Sequence, residues 1–526
     1  MERRAKIVAT LGPASADERM LGRLLAAGAD VLRFNLSHGN QESHRRTLRL
    51  VRKVAKARGL QIPVLLDLMG PRYRLGELPG GPRLLRQGES LTLGEPSRRV
   101  DLPVDDPDFL SHLRIGERVL IDNGLVELEI TAKRGRAVVA RVIHGGAVST
   151  RKGINLPDSK LPFTVSDKDA RDLEFAVAER ADYIAASYVG RARDLEAIRA
   201  IVARHGAPIP LVAKLERAAA IEHIEEIVAA ADAVMVARGD LGVEVPLHEV
   251  PVLQKRIIAA GRRLGKPVIV ATQMLESMMV QPRPTRAETS DVANAVFDGA
   301  DALMLSGETA AGKYPTESVR TMARIIVEAE QYKLKTFLSG EVPRDPGLPA
   351  GRFPAPAPRT FERAEAASSG AGREIAGAIE IADVIAAAAV HAASKLDGSR
   401  IVAFSQGGFT ARRLARYRPV VPTFVLTTDA QVARRIQLLW GMRPIHLVRD
   451  VQHREDLIAI VERELLARRH VRPGECLILL MGFPIRQKAL TNLLRIHRVG
   501  AREKVLETAK AVAPAKRSPP AGRRKR

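Results

Sequence analysis

With 526 residues, 46% of them apolar, the chain is too long for one hydrophobic core and predicts about three compact units, while its single cysteine, Cys476, excludes an intramolecular disulfide and fits a reducing compartment. No apolar run approaches the ~20 residues of a membrane span, and the opening "MERRAKIVATLGPAS" lacks a signal-peptide core, which argues against a membrane partner and points to the cytoplasm. The net charge of +23 comes without a nucleic-acid motif and with only 4% aromatic residues, so stacking platforms are scarce and the expected attraction is to small anions rather than to nucleic acid.

As far as residue 339 the chain repeats one unit: a short β-branched apolar run, a polar turn, then an amphipathic helical stretch. Eight runs follow in order: "KIVATLG" from Lys6, "VLRFN" from Val31, "PVLLDL" from Pro63, "DYIAASYV" from Asp182, "IPLVAKLE" from Ile209, "AVMVARGD" from Ala233, "PVIVATQ" from Pro267 and "ALMLSGET" from Ala302. Eight alternating units predict an α/β fold, a closed parallel (β/α)8 TIM barrel over 1–70 and 158–339. Between the third and fourth runs, 71–157 has Gly/Pro turns and short alternating strands such as "RVLIDNGLVELEI" and "AVVARVI". That pattern predicts an inserted β-rich lid domain at the barrel mouth.

Residues 340–375, rich in Pro, Ala and Gly, read as a linker. From 376 to 500 strand and helix alternate again in "RIVAFSQGGFTARRLARY", "TFVLTT" and "ECLILLMG", which predicts a C-terminal α/β domain. The last stretch, 501–526, has nine Lys/Arg and two Glu and so carries +7 of the net charge; its composition is that of a disordered basic tail.

In the fifth run Lys214 and Glu216 are two residues apart, so both face the barrel axis at the strand's C-terminal end, where barrels of this class build their active sites. Other strand ends carry polar groups at the same depth: Arg33, Asn35 and Ser37 after the second run, Asp67 after the third, Asp240 after the sixth, Thr272 after the seventh and Ser306 after the eighth. Singly, each reads as a satisfied polar cap at the rim. Together they are too many and too regular for that, and two carboxylates beside a lysine and arginines make a hard-cation site next to an anion site, the combination phosphoryl transfer needs.

The chain resembles pyruvate kinases of bacterial type over about residues 3–500. The resemblance is carried by "KIVATLGPAS", "LRFNLSHG", "DLMGPRYRLG", "RKGINLP", "LVAKLE", "VMVARGDLGVE", "VIVATQMLESM", "PTRAETSDVANAVFDGADALMLSGETAAGKYP" and "NLLRIHRVG". It implies transfer of a phosphoryl group from phosphoenolpyruvate to ADP, giving pyruvate and ATP, the final step of glycolysis, in a homotetramer using Mg2+ or Mn2+. Glu216 and Asp240 would hold the divalent cation, and Lys214 would stabilise the phosphoryl group in flight. Arg33 and Arg74 would grip phosphates, Lys152 would reach the nucleotide from the lid, and Asn35 and Arg74 would serve the nucleotide side. Gly239 and Asp240 would bind the substrate carboxylate at a helix start, and Thr272 would lie near the enolate carbon. His38 reads as a structural, satisfied core group.

Asn35, Ser37, Asp67 and Leu68 resemble the monovalent-cation site, where Arg72 stands at a position that is basic in potassium-independent members; K+ is therefore expected to be dispensable. Two further departures are Gly190, where the family usually has arginine, and Ala219, generally a polar position. In the third domain the turn of Ser405, Gln406, Gly407 and Gly408, with Thr410 beyond it, reads either as a pocket for a phosphorylated small-molecule effector or as a tight connection needing glycine. "GFPIRQKALTN" lacks the Gly-rich loop of fructose-bisphosphate-activated members, which leaves a sugar or nucleotide monophosphate. Two rivals stand beside this reading: a metal-dependent aldolase or lyase, which would not need the lid, and a non-catalytic protein binding an acidic polymer through its tail.

Overall fold

The computed structural model of the chain describes residues 3–71, 73–96, 100–105, 110, 112–159, 162–206, 208–339, 370–447, 454–482 and 491–500. Eight parallel strands close into one barrel: Lys6–Leu11, Val31–Asn35, Val64–Asp67, Tyr183–Ala186, Leu211–Leu215, Ala233–Ala237, Val268–Ala271 and Ala302–Leu305, each beside its predecessor. They are the eight apolar runs of the sequence. Strands buried on both faces read as continuous apolar segments, which is why they stood out.

The period of two along each strand sorts their side chains. One set packs outward against the helices, with Ile7, Leu32, Leu66, Val236 and Leu303 all at or near zero exposure. The other points to the axis: Val8, Val31, Leu65, Val212, Met235 and Ile269 form a second, inner cluster. Nearer the C-terminal strand ends the inward positions turn polar, at Thr10, Arg33, Asp67 and Lys214.

The third domain closes the opposite end. Leu438 belongs to the inner cluster, and Lys6, at the start of the first strand, buries its ammonium and donates to the Met442 carbonyl at 2.8 Å. Tyr183, which starts the fourth strand, donates its hydroxyl to the Arg435 carbonyl at 2.8 Å. Arg434 pairs with Asp182 and Arg418 with Asp301, at 2.8 and 2.7 Å. Trp440 lies beneath two guanidiniums, those of Arg4 and Arg418.

Between the third and fourth barrel strands a seven-stranded sheet has its own apolar core. Its order is Tyr73–Arg74, Gly153–Asn155, Arg118–Ile121, Val126–Arg134, Ala137–His144, Ser90–Gly94 and Leu102–Pro103. The chain leaves the barrel through Gly70, whose φ is +72° and where a Cβ would stand 2.8 Å from both Ser187 and Tyr188 side-chain carbons. Only glycine fits so close an approach in that conformation. Asp169 ties the departing and returning segments together: its Oδ1 accepts from Met69 and Gly70 N–H at 3.2 and 3.3 Å, and its Oδ2 accepts from the Ser166 hydroxyl at 2.8 Å.

The third domain is a five-stranded sheet ordered Met442–His446, Thr423–Thr427, Arg400–Phe404, Cys476–Met481 and Leu493–Arg498, the last antiparallel. Apolar clusters cover both of its faces. Of the stretch 340–375, residues 370–375 belong to the start of the helix Gly370–Lys395, an alanine-rich run with high helix propensity; the remainder, like the basic tail 501–526, lies outside the described residues. No helix among the described residues is long and apolar enough to cross a membrane.

Candidate active site

The axis polar groups converge on one buried cluster. Lys214 Nζ lies 3.3 Å from Asp67 Oδ1 and 3.2 Å from Glu216 Oε2, and donates to the Ser187 hydroxyl at 2.6 Å. Both carboxylates are about 1% exposed. Arg33 completes the group: its Nε donates to Asp67 Oδ2 at 2.7 Å, and its Nη1 donates to Thr10 Oγ1 at 3.0 Å. The strand register explains the convergence, since Thr10 faces Arg33 and Asn35 faces Asp67 on neighbouring strands.

Two cations and two carboxylates share this dry space, with unequal effects. Burial works against the Asp67 charge, but Lys214 and Arg33 together outweigh it and hold that carboxyl below its usual range. Burial likewise opposes the Lys214 charge, and the three neighbouring carboxylates, Asp67, Glu216 and Asp240, overcome it and raise its pKa. Glu216 has fewer friends. Burial pushes it up to about 7 despite Lys214 and a backbone donation from Tyr188 N at 2.6 Å, and Asp240 adds like-charge repulsion. Its Oε2 and Asp67 Oδ1 have no hydrogen-bond partner.

Both oxygens face the Lys214 ammonium alone, so a buried carboxylate whose outer oxygen makes no aligned hydrogen bond, next to the Asp240 carboxylate, is a donor set a small dication would satisfy. Among the described residues no cluster of three His, Cys, Asp or Glu side chains is suited to a metal.

Asp240 stands in the first turn of the helix Arg238–Glu244. Gly239 N–H donates to Thr272 Oγ1 at 2.7 Å, which joins that helix start to the seventh strand. Thr272 has φ +69° and Gln273 +52°, a left-handed pair that is costly for a β-branched residue. Arg238 over-determines it: its guanidinium donates to the Thr272 carbonyl at 2.7 Å and is anchored by Asp291 at 2.7 Å.

Asn35 accepts from Ser37 N–H at 3.1 Å in the turn after the second strand, and Leu68, 3% exposed, offers its carbonyl to the Ser187 hydroxyl. Arg72 lies outside the described residues. Arg74 and Lys152 come together in the lid, since Arg74 pairs with Gly153 across two strands and donates to the Arg151 carbonyl at 3.0 Å. The Lys152 ammonium is engaged within the lid by Asp122 at 2.6 Å. The lid touches the Asp240 helix through Asn155, which donates to buried Glu244 at 3.3 Å.

His38 differs from expectation: its side chain is exposed, and its backbone makes the contacts, the N–H donating to the Asn35 carbonyl at 3.3 Å and the carbonyl facing His44 Nε2 at 2.7 Å. Sequence reasoning passed over Ser187, Thr10 and the side chain of Arg238, of which it used only the backbone amide at the helix start. Ser187 was legible, because it continues the inward series Tyr183 and Ala185. Arg238 was not, because its work is done across two loops.

In the third domain the strand Arg400–Phe404 leads through Ser405 to Gly408, at φ +76°, and into the helix Phe409–Arg416. Ser405 and Thr410 are buried, the latter hydrogen-bonded to Thr491 at 2.6 Å. A Cβ at Gly407 would meet nothing within 4 Å, so the turn is open there. Residues 483–490 of the following loop lie outside the described residues.

Residues 2–319 match the family model described as pyruvate kinase, barrel domain, and residues 383–497 match pyruvate kinase, alpha/beta domain. A pyruvate kinase of Mycobacterium tuberculosis is 40% identical over 504 residues, covering 95% of this chain and 99% of its own length. One from Geobacillus stearothermophilus is 37% identical over 511 residues, 94% of this chain and 80% of its own. A third, from Corynebacterium glutamicum, is 40% identical over 505 residues, 95% and 98% respectively.

Proposed function

Since the chain belongs to the pyruvate kinase family, a family of phosphotransferases, we propose that its barrel mouth moves the phosphoryl group of phosphoenolpyruvate to ADP with the residues gathered around Lys214. The observation that carries this assignment is a buried lysine wedged between two carboxylates at the C-terminal strand ends, with an arginine sharing one of them. Glu216 and Asp240 are the side chains that would hold a divalent cation, which supplies charge neutralisation and a fixed orientation for substrate oxygens. Lys214 carries the charge that meets the transferring phosphoryl group, and Ser187 and Asp67 fix where its ammonium stands. Arg33 is held by Thr10 and Asp67 facing the same space, where it can grip a phosphate.

Gly239 and Asp240 present a helix start to the substrate carboxylate, and Thr272, held in its strained turn by Arg238, faces that helix start at the enolate end. Arg74 and Lys152 serve the nucleotide from the lid. Releasing Lys152 from Asp122 would be part of lid closure, which excludes water from the transfer.

Independence from K+ belongs to the same reading. Asp67 already serves two protein cations, so a monovalent ion beside Asn35, Ser37 and Leu68 has little uncompensated charge to meet, and Arg72 adds another positive charge in sequence. The family relationship also suggests a cytoplasmic homotetramer, with the turn from Ser405 to Gly408 and Thr410 receiving a phosphorylated effector.

The deciding experiment is pyruvate formation from phosphoenolpyruvate, ADP and Mg2+, with and without K+, using Lys214→Met as control. Pyruvate formed without K+ and lost by about 10^3-fold or more in the variant is expected. No pyruvate under either salt would return the lyase reading to the front, and activity that appears only with K+ would remove the Arg72 argument alone. Thr410→Glu should abolish any activation by a phosphorylated effector and leave basal turnover intact.

A further inference from the structure

Where the barrel meets the third domain, at the N-terminal strand ends and away from the carboxylate cluster, there is an open groove of about 460 Å³. Arg49, Arg52, Arg180 and Arg434 line it, together with Glu179. Three separate segments supply these arginines: the helix Gln41–Ala57, the turn before the fourth barrel strand, and the helix Ala430–Ile436 of the third domain.

Their charges are unevenly matched. The Asp182 side chain, fully buried, accepts from Arg52 at 2.8 Å and from Arg434 at 2.8 Å, so one carboxylate serves two guanidiniums. Glu179 is engaged by Arg45 at 2.7 Å. Arg49 and Arg180 are exposed, and neither guanidinium makes a hydrogen bond or ion pair among the described residues. The Arg180 turn is nevertheless fixed, because its carbonyl accepts from Arg52. Lone surface arginines are commonly just solvated. Four entering one concavity from three segments, with positive charge in excess, make a preformed receptor for an anion.

We propose that this groove binds a phosphorylated small molecule, with the phosphate between Arg49 and Arg180 and with Arg434 beside it. Guanidinium forks match phosphate oxygens two at a time, and the groove's volume lies in the range of small-molecule sites. Because Arg434 comes from the third domain and Arg49 from the barrel, an occupant would cross-link the two. This site is separate from the turn at Ser405 to Thr410 and requires nothing of the barrel mouth.

The test uses the full chain, titrated with inorganic phosphate at ionic strength held constant by NaCl, and read by thermal melting and calorimetry. Phosphate should raise Tm in the wild type and in Thr410→Glu. In Arg49→Ala/Arg180→Ala the affinity of this site should fall by about tenfold or more per arginine. Binding at the barrel mouth is common to all three proteins and cancels in the comparison. Arg180→Lys, which keeps the charge and loses the fork, should fall between wild type and the double variant. Glycerol phosphate should bind at least as tightly as the free ion. An unchanged response in the double variant, a response matched by chloride alone, or loss confined to Thr410→Glu would each overturn the site, and weaker binding of the ester would overturn its assignment to an organic phosphate.

Discussion

Glu216 shows how one residue can record the state of the whole cluster. Its carboxyl sits at about 7 because burial outweighs the help it receives from Lys214 and Tyr188 N–H. From the ordinary carboxylate range up to that value, the folded protein keeps a proton that the unfolded chain has released. Stability contributed by this group is therefore lost as pH rises through the window. Thermal melts in EDTA between about pH 5 and 7.5 should show a falling Tm that is shallower in Glu216→Gln, and Mg2+ should flatten the wild-type slope because cation binding favours the ionised form. A second residue-scale feature concerns Gly190 and Ala219, which stood out separately in the sequence as departures from the family. In the fold they touch: a Cβ at Gly190 would lie 3.7 Å from the Ala219 Cβ and 3.9 Å from Arg217 Nη1. Two small residues thus occupy what is usually a more polar contact, and the departures amount to one change. A Cβ there would also lie 3.7 Å from Asp194 Oδ2, which already accepts from Gly190 N–H; in Gly190→Arg the new cation would stand between that carboxylate and Arg217, and adding Ala219→Asp should stabilise it by about 0.5–1 kcal/mol as the coupling term in a double-mutant cycle of denaturant melts.

At the scale of elements, legibility followed burial. The eight barrel strands are apolar on both faces and were visible as runs; so were Arg400–Phe404, Thr423–Thr427 and Cys476–Met481, the three inner strands of the third domain. Its two edge strands were not read as strands, for physical reasons. Met442–His446 contains Pro444, which an edge tolerates and an interior strand does not, and Leu493–Arg498 mixes apolar and basic residues because much of it faces solvent. The crossing at the lid was also hidden, since Asp169 reads as one more helix-start carboxylate. In place its side chain grips both the outgoing and the returning segment. Burial raises its pKa, and the donations from Ser166 and Gly70, with the nearby Lys168 charge, oppose that rise only in part. Asp169→Asn should loosen the crossing without removing any group at the barrel mouth. The expected outcome is faster amide exchange in the lid strands and a KM for ADP raised by about threefold or more, with a smaller change in kcat.

For the molecule as a whole, the order of parts could be read from the chain, but the way they dock could not. Leu438 shares one buried cluster with Val8 and Val31 across some 400 positions of sequence, and no local pattern announces such an association. Leu438 is only 1% exposed, so Leu438→Ala should cost about 2–5 kcal/mol, seen as a lower Tm of the full chain. The polar groups at the barrel axis were legible because strand periodicity fixes which side chains share the axis, whereas their mutual distances depend on register between strands. The floor made by the third domain carries a last consequence for anyone cutting or grafting this chain. A product ending within the helix Pro315–Ser339 would keep every residue named at the barrel mouth and still be a cup with a drilled base, its Lys6 ammonium without an acceptor and its axis open to water from below. The boundary that looks natural on a gene map is therefore the wrong place to cut the barrel from its floor, and any exchange of third domains between relatives has to carry its own stopper.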